Sequence, residues 1–139
     1  GSLHANTAQE TVTRMINPPM SVPPIMLSGL DLIIIQARLQ VNGKTARKIT
    51  EVAEVAGMEG DKPRLNAIWQ YNAATDQIEE TGIPSKLRET ICSAAGVTPD
   101  VFERHVSPRQ AIIEHLCERG ISDIQTVTSV VQNFYAQQH

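Results

Sequence analysis

The chain has 139 residues, 41% apolar and 19% charged, with a formal net charge of −3. That length fits one domain or one core with a small appendage, and it allows roughly two thirds of the unfolded surface to be buried. The acidic balance disfavours nucleic acid as a partner. The longest apolar run, Leu32-Ile33-Ile34-Ile35, is too short to span a bilayer, and no signal-peptide pattern is present.

Thr7-Ala8-Gln9-Glu10 has the form of a capping box and predicts a helix start. Val12, Met15 and Ile16 then share one face, and Asn17-Pro18-Pro19 ends the helix. The segment MSVPPIMLSG reads as a linker turning into one short helix that stops at Gly29. Residues 31–80 read as strands. DLIIIQARLQ opens on a β-branched run of the kind expected in a strand covered on both faces. Asn42-Gly43 is a strong hairpin signal, since both residues accept positive φ. TARKITEVAEVAG fits helix or strand by period, and its β-branched content after a hairpin favours strand. MEGDK is a turn, RLNAIWQYN a further strand and NAATD another turn, which together make an antiparallel meander.

From residue 83 onward the chain reads as helical. Pro84 opens a helix carrying Leu87, Ile91 and Ala95, closed by Gly96. Thr98-Pro99 opens a short one with Val101, Phe102 and Val106. Ser107-Pro108-Arg109-Gln110 predicts a new cap, with Ile112, Ile113, Leu116 and Cys117 inward and Gly120 behind. Ser122 to Gln125 repeats that logic before a stripe of Ile124, Val127, Val131 and Phe134. Short loops predict a compact helical bundle.

Spacing alone points to little chemistry. Gly43-Lys44-Thr45 ends like a phosphate-binding loop, but Arg38 stands where the first loop glycine should be, so the segment reads as a hairpin turn. Glu89 to Val106 has helix-turn-helix spacing. Against it, residues 81–139 carry five Lys and Arg (86, 88, 104, 109, 119) and six Asp and Glu (89, 100, 103, 114, 118, 123). Cys92 and Cys117 lack zinc-ligand spacing and read as buried helix thiols. His105, His115 and His139 suggest neither a metal site nor a catalytic dyad, and Glu51, Glu54 and Glu79-Glu80 read as solvated charge.

Four stretches, in order, resemble one family. GSLHANTAQETVTRM resembles the histidine box of the type II/type IV secretion ATPases. PPMSVPPIMLSGLDLIIIQARL, RKITEVAEVAGMEGDKPRLNAIWQYNAATDQI and GIPSKLRETICSAAGVT are similar to the following segments of its archaeal branch, which includes the pilus-assembly and archaellum motors. The resemblance implies an α/β fold: the terminal part of a RecA-like P-loop ATPase domain over residues 1–80, and a small helical bundle over 81–139. It also implies that the chain begins inside a catalytic domain, whose Walker A and Walker B segments lie upstream.

The parent would be a cytoplasmic homohexamer that docks on an inner-membrane platform protein and uses ATP and Mg²⁺ to drive pilin or protein export. This chain by itself is expected to bind no cofactor tightly and to turn over no ATP. Within the family pattern His4 takes the sensor position, Arg14 follows on the next helix, and Asn6 and Arg38 are weaker nucleotide-side candidates; no metal ligand is implied. The rival readings are a helical interaction module of a secretion or signalling assembly and, more remotely, a helix-turn-helix regulator.

Overall fold

The structure is a computed structural model that describes residues 1–41 and 43–137. It is a mixed α/β chain that separates into two compact units, Gly1–Thr90 and Ile91–His139. The first holds helix α1 (Ala8–Ile16), a 3₁₀ segment (Pro24–Gly29) and strands β1 (Leu32–Val41), β2 (Lys44–Glu59), β3 (Lys62–Asn72) and β4 (Gln77–Glu80). The strands form one antiparallel sheet in sequence order, β1-β2-β3-β4. Helix α2 (Lys86–Ala95) begins there, and α3 (Pro99–Glu118) and α4 (Ile124–Ala136) follow. No described helix is long and apolar enough to cross a membrane.

The core lies on one face of the sheet. Ala8 and Val12 of α1 and Leu27 of the 3₁₀ segment pack on Ile33, Ile35 and Ala53, with Met15, Val55 and Leu65 at the margin. The expectation that β1 is covered on both faces is corrected. Ile33 and Ile35 are buried, but Ile34 between them is 57% exposed, so β1 alternates as a strand with one packed face. The hairpin expected at Asn42-Gly43 is present: Val41 pairs with Lys44 and Gly43 sits at φ +73°, while Asn42 itself lies outside the described residues. The strand reading of TARKITEVAEVAG also holds.

Three bulges shape the sheet. Thr50 has no register partner where the β1–β2 pairing shifts, and the β2–β3 register shifts beside Ile68 and Ala56. Pairing to β3 starts only at Glu51, so the part of β2 before it is paired to β1 alone. The outer part of the hairpin is therefore a two-stranded arm.

Two carboxylates on β2 hold the helices. Glu51 pairs with Ile35 and Glu54 with Leu32, so alternation puts Glu51 on the core face and Glu54 on the other. Glu51 accepts from the Ala8 N–H, in the first turn of α1, at 2.9 Å. Glu54 is only 2% exposed and accepts from the Lys86 and Leu87 N–H groups at 2.7 and 3.3 Å and from the Ser85 hydroxyl. Ser85 also accepts from the Arg88 N–H, capping α2. Each acid thus meets the positive end of a helix, and neither is the solvated charge expected from sequence.

The helical part departs from expectation in three places. Residues 99–118 are one helix rather than two, with Pro108 inside it. The Ser107 hydroxyl donates to Glu103 O, and the Arg109 guanidinium donates to the His105 carbonyl, so side chains supplement the backbone where proline removes a donor. The cap of α4 is Asp123 rather than Ser122; it accepts from the Thr126 N–H at 2.8 Å.

The compact helical unit buries few side chains. In Ile91–His139 the buried residues among those described are Cys92 and Leu116, and α4 buries none. Ile113 is 62% and Ile124 78% exposed, and Cys117 is exposed. Arg109 of α3 contacts α4: its guanidinium lies 5.4 Å from the Phe134 ring and 5.5 Å from the Tyr135 ring.

Glu54→Ala should lower unfolding stability by about 2–3 kcal/mol, because it strips a buried charged acceptor from three part-buried donors. Glu51→Ala should cost about 1 kcal/mol, since a single N–H loses its partner. Urea unfolding of both variants, with unchanged denaturant slopes, checks the order; an equal or reversed ranking would refute it.

Candidate functional site

Residues 1–5 carry no helix or strand. They lead directly into α1, whose N-cap is Thr7: its hydroxyl accepts from the Glu10 N–H at 3.0 Å. The other half of the capping box is displaced by one residue. Glu10 Oε2 accepts from the Asn6 N–H at 2.8 Å and from Asn6 Nδ2 at 3.0 Å. Glu10 Oε1 accepts from Arg14 Nε at 2.8 Å and Nη2 at 2.6 Å. One carboxylate thus fixes both the loop before the helix and the guanidinium one turn along it. The Asn6 N–H and the Arg14 guanidinium beside it hold the Glu10 carboxyl below the usual glutamate range.

All four residues singled out in the sequence meet at one place. A cleft of about 520 Å³ is lined by His4, Ala5, Asn6 and Arg14 on one side and by residues 36–39 of β1, including Arg38, on the other. Arg14 enters it already paired with Glu10. The Asn6 amide is likewise occupied, and Thr7 rather than Asn6 caps α1. The side chains of His4 and Arg38 have no ion pair or hydrogen bond among the described residues, so their donors are open to a ligand. An adjoining cleft of about 480 Å³ continues along the same strand, between Leu3, Met15 and Met20 and residues 32–36.

The donor set of the first cleft is an imidazole and two guanidinium groups, which suits an anion rather than a cation. Among the described residues no three His, Cys, Asp or Glu side chains converge as a metal site requires. His105 and His115 lie on α3 and are not among the residues lining this cleft, and His139 is outside the described residues.

Two features were not foreseen in the sequence. The first is Glu10 as the hinge of the site, although its spacing of four to Arg14 is a helix-pairing signal. The second is a triad at the far end of the sheet, where Asp76 accepts from Lys48 Nζ at 2.9 Å and from the Tyr71 hydroxyl at 2.8 Å. Lys48 holds the Asp76 carboxyl low, and Asp76 in turn raises the Tyr71 phenol. Asp76 takes φ +55° in the β3–β4 turn, and its bond to Lys48 ties that turn to the β1–β2 arm.

No family model matches the chain. It is 34% identical over 136 residues to the uncharacterized protein MJ0781 of Methanocaldococcus jannaschii, an alignment covering 96% of this chain and 19% of that protein. It is 25% identical over 119 residues to the uncharacterized protein MJ1287 of the same organism, covering 84% of this chain and 44% of the relative. The chain thus spans about a fifth and less than half, respectively, of the curated relatives it matches.

The depressed folded-state pKa of Glu10 fixes the sign of an acid effect. Its contribution is complete above the unfolded carboxyl pKa and is lost as pH falls through the lower folded value. In an NMR titration the Glu10 carboxyl carbon should move at lower pH than that of a freely solvated glutamate. The Asn6 amide should shift with it, and Glu10→Gln should abolish the Asn6 titration. A Glu10 midpoint in the ordinary range would overturn this arrangement.

Proposed function

We propose that the chain is the C-terminal portion of a hexameric secretion ATPase of the archaeal pilus and archaellum type. In this reading the strands and α1 end a RecA-like motor domain, and the helices after residue 80 are its appendage. The observation that carries the proposal is the shared cleft. His4, Asn6 and Arg14 come from the histidine-box segment and Arg38 from a strand more than twenty residues later in sequence, yet they line one opening rich in donors. The order of the four resembling stretches supports the same reading.

In this role His4 donates a hydrogen bond toward the terminal phosphate of a nucleotide and signals its loss after hydrolysis. Glu10 holds Arg14 and the Asn6 loop so that a change at His4 is passed into α1. Arg38 adds positive charge from the strand side. The P-loop, Mg²⁺ and Walker B carboxylate belong to the rest of the motor, and the phosphoryl chemistry takes place there. Other subunits of a homohexamer and a membrane platform protein are the partners of this reading, with the motor on the cytoplasmic side.

A second reading, a helical module that docks a partner, draws support from the exposed Ile113, Ile124 and Val131 on α3 and α4.

The purified 139-residue chain should show no magnesium-dependent ATP turnover. A longer protein that joins this segment to a P-loop should hydrolyse ATP, and His4→Ala in it should lower kcat by about tenfold with little change in KM. Turnover by the short chain, or an unchanged kcat in the variant, would count against the assignment.

A further inference from the structure

The β1–β2 hairpin carries charge of one sign. Between Leu32 and Thr50 the charged residues are Arg38, Lys44, Arg47 and Lys48, all basic, in a chain whose net charge is −3. The acids that bracket it are Asp31 and Glu51, and Glu51 is engaged by the Ala8 N–H. Lys48 is taken by Asp76. The side chains of Arg38 and Arg47 have neither an ion pair nor a hydrogen bond among the described residues.

Those two arginines stand directly opposite each other in the β1–β2 register. Opposed residues of an antiparallel pair point to the same face, with Cα atoms about 4.5–5.5 Å apart. Like charges in that relation destabilise the sheet, and the arm carries no acidic residue to offset them. Thr45 lies on the same face two residues before Arg47, its hydroxyl held by Gln40 Nε2 at 2.8 Å. Arg38, Thr45 and Arg47 together line a surface cleft of about 400 Å³. Two planar guanidinium forks carried on one face beside a hydroxyl match the tetrahedral oxygens of a phosphate better than the single flat edge of a carboxylate.

We propose that Arg38 and Arg47 form a phosphate-binding site on the β1–β2 arm, with Thr45 as its third wall. It goes beyond the nucleotide-sensing reading because it requires Arg47 and Thr45, which lie outside the His4 cleft. Its ligand is an anionic phosphate group, supplied either by a soluble pyrophosphate or by the headgroup of an anionic phospholipid. Binding removes the Arg38–Arg47 repulsion, so the ligand also tightens the arm.

The test is an NMR titration of the 139-residue chain with inorganic pyrophosphate, read at the arginine side-chain N–H signals and the Thr45 amide. Saturable shifts at Arg38, Arg47 and Thr45 are expected. Arg47→Ser should weaken binding about tenfold and abolish the Thr45 shift. Arg47 is exposed, so the variant should fold, and retained amide dispersion verifies that. Cosedimentation with phosphatidylglycerol vesicles, compared with phosphatidylcholine vesicles, separates the sources. Vesicle binding lost in Arg47→Ser assigns the headgroup; pyrophosphate binding without vesicle binding assigns the soluble ligand. The proposal is overturned if neither ligand binds, if Arg47→Ser binds as well as the parent chain, or if the shifts follow His4 and Arg14 instead.

Discussion

The first unit is organised by the pleat of β2. Glu51 and Glu54 are three residues apart, an odd spacing, and therefore leave opposite faces of the strand. Glu51 meets the start of α1 on the core face, and Glu54 meets the start of α2 on the other. In both cases unpaired N–H groups at a helix N-terminus find an anionic acceptor on the sheet. The direction in which α1 leaves β2 sets where Asn6 and Arg14 stand, and hence which part of β1 faces them across the cleft. A slip of one residue in β2 would exchange the two acids between faces and undo both attachments.

The site is arranged by a chain of paired charges with open donors at its ends. Glu10 takes up Arg14 and the Asn6 loop, which leaves His4 and Arg38 facing the cleft without partners among the described residues. An exposed ion pair of this kind adds little stability. Its effect is positional: it settles the orientation of the segment that bears the imidazole.

The elements were legible where local chemistry dominates. Thr7 and Glu10 marked the start of α1, Asn42-Gly43 the hairpin, and the hairpin decided the ambiguous period of β2. β4 was missed because Gln77–Glu80 offers one apolar residue, Ile78, and owes its strand form to pairing with β3. The break expected at Pro108 failed: α3 runs through it, and Ser107 and Arg109 donate to the carbonyls of Glu103 and His105, on either side of the one that proline leaves without its donor. Ser122 and Asp123 are both good caps, and periodicity could not choose between them. Glu51 and Glu54 looked solvated because their partners lie forty-three and about thirty residues away in the chain, and no local pattern encodes such a contact. The candidate residues came from resemblance rather than spacing; only the fold brings Arg38 to His4.

The arm beyond Glu51 has one lateral neighbour per strand, and its tie to the remainder of the sheet runs through Lys48 and Asp76. Its backbone bonds can therefore open without disturbing those between β2 and β3. The strand amide protons of Ala37–Val41 and Lys44–Lys48 should form their own exchange unit, opening at a lower free energy than the core strands. Such an element can change its order when its charge is neutralised while the scaffold beneath stays intact. The bulge residue Thr50 marks where that independence begins.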